Sequence, residues 1–197
     1  MVIIAGLGNP GEKYEKTRHN VGRVAVESFG EAQSFPDFVS SGKYQAHISE
    51  GQIGKEKVLL LLPDTFMNKS GASFKPLIKS KAAAERLVVL YDDMDLPLGT
   101  YKIAFARGSG GHNGVESIIK HLKTKDFVRI RIGVSPSTPT GKIRKPKGEK
   151  AVIDFLMGDF KKAEADLLKK EFKTIRAVVE KIILEGRVAA QNEFNKK

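Results

Sequence analysis

Four histidines and a small set of loop carboxylates and amides are the side chains through which this chain could do chemistry. His19 stands in the polar run TRHN, just ahead of an apolar stretch, and an imidazole titrates close enough to neutrality to take up and release a proton. It needs a partner. Asp92 or Asp93, at the end of an apolar run, could be that carboxylate if the fold brings them to the ring. Taken alone, such a histidine is better explained by helix capping or packing than by chemistry. His47 lies in a strand-like segment and His121 faces away from the Val115, Ile118 and Leu122 stripe, so both read as structural or exposed. His112, between glycine and Asn113, fits a turn as well as a chemical role. No two histidines have the spacing of a zinc-binding helix and there is no cysteine, so no metal is expected.

Most of these residues sit in four loops, each after an apolar run: GLGNPG, DTFMNKSG, DDMDLP and GSGGHNG. In α/β proteins a rigid base of buried strands ends in loops of this kind, and the sites are built there. Convergence of the four predicts one site. Apolar patterning predicts strands over 2–5, 43–48, 58–62, 87–91, 101–105 and 128–134, and helices over about 21–29, 69–80, 113–122 and 160–185. That alternation predicts a single α/β domain over 1–197, with a twisted, mixed and largely parallel sheet flanked by helices. In the last helix Leu168, Phe172, Ile175, Val179 and Ile182 form a core stripe, with Asp159 as the expected N-cap and Gly186 at the far end. Pro76 is awkward inside the second helix, which must kink there or be shorter.

Composition bounds the partners. The chain has 197 residues, 41% of them hydrophobic, which is enough for a sizeable core. No apolar run approaches the roughly 20 residues that span a bilayer, and Met1 opens directly onto a strand-like segment, so the expectation is a cytoplasmic protein without a membrane partner. Acidic and basic residues balance over 1–98, so the whole net charge of +11 falls in 99–197. Lys142, Arg144 and Lys145 lie there in an aperiodic Pro/Gly-bearing stretch, expected to be a mobile basic loop over about 135–151. With Lys102, Arg107, Arg129 and Arg131 near the glycine loop, they favour a phosphate backbone as partner. Gly6, Gly8 and Gly11 also spell a dinucleotide fingerprint, but Pro10 and a charged run follow where the helix should begin, and Glu31 ends no strand.

The motifs decide between these readings when taken together. NPGEKYEKTRHNVG at 9–22, PDTFMNKSG at 63–71, YDDMDLPLG at 91–99 and GSGGHNG at 108–114 resemble, in order and spacing, those of bacterial-type peptidyl-tRNA hydrolases, over almost the whole chain. The resemblance implies hydrolysis of the ester joining a peptide to the terminal ribose of tRNA, with no cofactor, in a monomer without an obligate protein partner. It implies that His19 is the general base on water, that Asp92 fixes its tautomer, and that Asn9 takes part at the reacting carbonyl. It places Tyr14 beside His19, Asn113 with Asn9 at the reacting carbonyl or water, and Phe66, Met67 and Asn68 along the peptide's path. A basic residue is common in the family where Ala104 stands, so the phosphate clamp is expected from Lys102, Arg107 and either Arg129 or Arg131. Two rival functions remain, an RNA-binding module without chemistry and a dinucleotide enzyme.

Overall fold

The computed structural model describes residues 1–195 apart from Pro139 and Gly141. Seven strands form one sheet: β1 (Val2–Gly6), β2 (Val39–Ser41), β3 (Ala46–Ile53), β4 (Glu56–Pro63), β5 (Leu87–Pro97), β6 (Tyr101–Phe105) and β7 (Val128–Ser135), in the order β2-β3-β4-β1-β5-β7-β6. The central four, β4, β1, β5 and β7, run parallel, while β2, β3 and β6 join antiparallel at the edges. This is the mixed, centrally parallel sheet expected. Its inner strands are apolar on both faces because both faces are covered. Ile4, Leu60, Val88 and Ile130 pack against Val21, Ala25 and Phe29 of helix α1 (Val21–Ala32) and against Phe172, Ile175 and Val179 of the last helix, α5 (Lys162–Phe194). On the other side Ile3, Leu59, Leu61 and Val89 pack against Met67, Phe74 and the Val115 and Ile118 face of α3 (Asn113–Leu122).

Several elements differ from expectation for local reasons. The helix expected over 69–80 is a 3-10 segment, Met67–Ser73; the helical path ends ahead of Pro76, whose ring disfavours the helical conformation before it. A short helix α2 (Lys81–Glu85) follows, where Ser80 Oγ accepts from the Ala83 N–H at 3.1 Å. The strand expected at 43–48 begins only at Ala46, after a turn in which Gln45 takes φ 46°, and runs on to Ile53 as a hairpin with β4. A nine-residue helix, α4 (Glu149–Met157), occupies the end of the expected basic loop and the gap before α5. Pro139 and Gly141, inside that loop, lie outside the described residues; on either side, Ser137 and Ile143 form an isolated bridge. Lys161 rather than Asp159 caps α5, its N–H donating to Glu164 Oε2 at 2.7 Å. Gly186, at φ 85°, breaks α5 without ending it.

Parallel strands place their C-terminal ends along one edge, and the connections leaving β1, β4 and β5 therefore gather there. The long connection between β6 and α3 also reaches that edge, because α3 begins beside the end of β5. Two glycines make the local approach close enough. A Cβ on Gly22 would run into the Leu90 carbonyl, and one on Gly6 into the Gly22 carbonyl, so the first turn of α1 rests backbone to backbone on β1 and β5. His19, three residues before Gly22, is held against the end of β5 by the same contact.

Candidate active site

His19 and Asp92 meet there. His19 Nδ1 lies 2.8 Å from Asp92 Oδ1, and the residues are 6% and 3% exposed. The His19 ring sits in the 3-10 turn Arg18–Asn20 leading into α1, while Asp92 closes the apolar part of β5. Burial pulls the imidazole pKa down, but the Asp92 charge and hydrogen bond outweigh it and hold the pKa above the ordinary 6.5. For Asp92, burial favours the protonated form, yet His19 and His112 together keep the carboxyl well below the usual range. With Nδ1 engaged, His19 Nε2 has no protein partner among the described residues and is the nitrogen left for substrate or water.

His112 completes the group. Its Nδ1 accepts from the N–H groups of Gly114 and Val115, at 3.1 and 3.3 Å, which makes it the N-cap of α3. In the neutral ring that leaves the proton on Nε2, which donates to the same Asp92 oxygen at 3.0 Å. The carboxylate thus accepts from both imidazoles. The sequence left His112 open between a turn and a chemical role; the signal for its cap was its place one residue ahead of a helix start, with an Nδ1 that could accept. Donor atoms of His19, Asp92 and His112 lie within 4.8 Å of one another, close enough to hold a metal ion. Ligation through His112 Nε2 would displace the proton that its capping role puts there, so the cluster is built around shared protons.

Asn9 is oriented as firmly. Asn20 grips its backbone from both sides, Oδ1 accepting from the Asn9 N–H at 2.8 Å and Nδ2 donating to the Asn9 carbonyl at 2.9 Å. The Met67 N–H donates to Asn9 Oδ1 at 2.9 Å, so the amide's donor end faces the cleft, where Nδ2 donates only to the weak acceptor Met157 Sδ at 3.9 Å. Asn20 escaped sequence reading, since a buried asparagine beside a helix start has no distinguishing pattern.

His19, Asp92, His112 and Asn9 line a cleft of about 1500 Å³ together with Phe66, Met67, Asn68 and Asn113 and with Val152, Ile153, Leu156 and Met157 of α4. Lys102, Arg107, Arg131 and Lys145 also line it, and Lys69 and Arg187 join them without having been anticipated. Alternation along β5 predicts that one of Asp92 and Asp93 faces the site; both line the cleft, but Asp93 pairs with Arg131 rather than with histidine. Asp95 pairs with Lys145. Four expected site residues are not brought to the cleft as drawn. Arg129 is fully buried, its guanidinium 4.3 Å from the Phe127 ring centroid and donating to the Lys125 carbonyl. Lys142 and Arg144 are exposed outside the lining. Tyr14 is half-buried and also outside it, with Lys13 over its ring.

A family model described as peptidyl-tRNA hydrolase matches residues 3–197. The chain belongs to the peptidyl-tRNA hydrolase family. It is similar to the peptidyl-tRNA hydrolase of Listeria welshimeri, 40% identical over 196 residues, covering 99% of this chain and all of that one. The Brevibacillus brevis peptidyl-tRNA hydrolase is 42% identical over 165 residues, 83% of this chain and 82% of its own. Among solved structures, Acinetobacter baumannii peptidyl-tRNA hydrolase superposes with a TM-score of 0.85 at 30% identity, covering 99% of this chain and 94% of that one. The α/β fold expected from the alternation of strands and helices is the fold this family has. Gly6 and Gly8, which spelled part of a dinucleotide fingerprint, instead lie against Gly22 and Asn20.

Proposed function

We propose that this chain hydrolyses peptidyl-tRNA by activating water with His19, releasing the peptide and free tRNA. The observation that carries the reading is the buried His19–Asp92 hydrogen bond at the floor of a cleft with basic margins. His19 Nε2 takes a proton from water as the water oxygen attacks the ester carbonyl. The imidazolium so formed sits against Asp92, which remains ionised and steadies it. Asn9 Nδ2, turned outward because its oxygen is occupied by Met67, donates to the carbonyl oxygen as that oxygen gains charge. The tetrahedral adduct then breaks the bond to the ribose oxygen, and His19 returns its proton to that leaving group. No covalent enzyme intermediate is needed.

The rest of the cleft supplies binding. Asn68 and Asn113, both exposed on its wall, suit the peptide backbone, since neutral amides can donate and accept without repelling it. Phe66 and Met67 suit apolar side chains. Lys102, Arg107, Arg131 and Lys145 suit tRNA phosphates, and Lys69 and Arg187 extend that field. Release of peptide from N-acetylated aminoacyl-tRNA tests the reading. Wild type is expected to cleave it, and His19→Ala to lose turnover by about 10²–10⁴-fold while keeping its affinity for the RNA. Equal turnover in the two proteins would overturn the mechanism; binding without cleavage in wild type would leave an RNA-binding module.

A further inference from the structure

Helix α4 has no fully buried residue, and Ile153 on it is 51% exposed. Its packing against other elements is mainly on the turn Arg18–Asn20. Its apolar packing on the core is limited to the half-buried Phe155 and Leu156, so directed bonds contribute to holding it, and these converge on Arg18. The Arg18 side chain is 10% exposed. Nη1 donates to the carbonyls of Gly158 and Phe155 at the C-terminal end of α4, at 3.1 and 3.4 Å, where a cation also suits the helix dipole. Nη2 donates to Glu164 Oε2 at 2.9 Å, and Glu164 accepts from the Lys161 N–H at the start of α5. The guanidinium carbon lies 4.6 and 5.3 Å from the ring centroids of Phe155 and Phe160. Backbone bonds repeat the link, from Arg18 N–H to the Gly158 carbonyl and from Phe160 N–H to the Lys16 carbonyl.

Arg18 is not itself in the cleft lining, but the residue after it is His19, and the helix it holds presents Val152, Ile153 and Leu156 to the cleft. We propose that Arg18 is a positioning residue that seats the apolar wall of α4 at a fixed distance from His19, and so sets the enzyme's grip on the peptide residues next to the scissile ester. This rests on the cleft being the peptidyl-tRNA site. Arginine suits the task where lysine does not: its planar fork reaches two carbonyls and a carboxylate at once while lying between two rings. Loss of the fork frees α4 without touching the His19–Asp92 pair, so substrate binding falls and the chemical step is retained.

The test is kcat and KM for N-acetylated aminoacyl-tRNA in wild type, Arg18→Met, Arg18→Lys and Glu164→Gln, with the folded fraction followed by circular dichroism. Arg18→Met keeps an apolar stem between the rings and should raise KM about tenfold with kcat within about threefold. Arg18→Lys should fall between it and wild type, and Glu164→Gln should raise KM about twofold to threefold. An unchanged KM, with kcat falling only in step with the folded fraction, would make Arg18 purely structural and overturn the proposal. If Arg18→Met does not fold, Glu164→Gln decides by the same criterion. Wild-type turnover with KM unmoved in the variants removes this proposal alone; absence of wild-type turnover removes the functional reading with it.

Discussion

Asp92 accepts from two imidazoles, but only one of them is free to exchange its other proton. His112 is committed on both ring nitrogens, to Asp92 and to the first turn of α3, whereas His19 has Nε2 open to the cleft. In the proposed mechanism this division leaves base chemistry to His19 and alignment of the carboxylate to His112. Asp92→Asn should lower kcat about 10²–10⁴-fold, because an amide can hold the ring but cannot stabilise the imidazolium. In that variant burial acts on His19 without its compensating charge, so the acid limb of the pH–rate profile should move to lower pH. An acid limb unmoved by Asp92→Asn would mean that another group titrates. The same raised pKa bears on stability: protonated His19 contributes fully below the unfolded value of 6.5, and that contribution is lost as pH rises through the folded value. His19→Ala should therefore narrow its stability deficit between acidic and mildly alkaline pH, measured by denaturant titration.

At the scale of elements, two backbone contacts set the distance between the histidine turn and the carboxylate strand. Gly22→Ala should cost about 1–3 kcal/mol in denaturant unfolding and reduce turnover in the protein that remains folded, since its Cβ meets the Leu90 carbonyl two residues before Asp92. Unaltered stability would show that α1 can shift without consequence. Much of this layer was legible in the sequence. β1, β4, β5 and β7 are apolar runs because the sheet is covered on both faces, and the core stripe of α5 lies where its periodicity put it. Elements whose residues bury little were not legible. α4 has no fully buried residue to give it a periodic signature, and β2 is three residues on an edge. The 3-10 segment at Met67 reads like a helix start, with Pro76 as the sole warning. Site residues followed the same rule: His19, Asp92 and Asn9 were found because motifs frame them, while Asn20 and the capping role of His112 depend on partners far away in the chain.

Across the whole molecule, charge and apolar surface divide the cleft by function. The excess of +11 lies in the second half of the chain, and Lys102, Arg107, Arg131 and Lys145 bring part of it to the cleft margin. Basic composition alone did not separate these from Arg129, which shares a face of β7 with Arg131 but is stacked on Phe127 and shut away from solvent. That difference is testable by salt. Lys102→Gln or Arg107→Gln should each weaken tRNA binding and reduce the slope of log K against log salt by about 1, while Arg129→Met should leave the slope unchanged. A flatter slope in Arg129→Met would mean that this guanidinium reaches phosphate. Among the described residues no helix is long and apolar enough to cross a membrane.

The central claim, that His19 is the base and that Asp92 sets its basicity, is tested most directly by following the His19 ring by NMR across pH beside kcat/KM for N-acetylated aminoacyl-tRNA. One midpoint above 6.5, shared by the ring titration and the acid limb of the rate, is the expected result. A His19 midpoint at or below 6.5, or an acid limb that departs from it, would contradict the account.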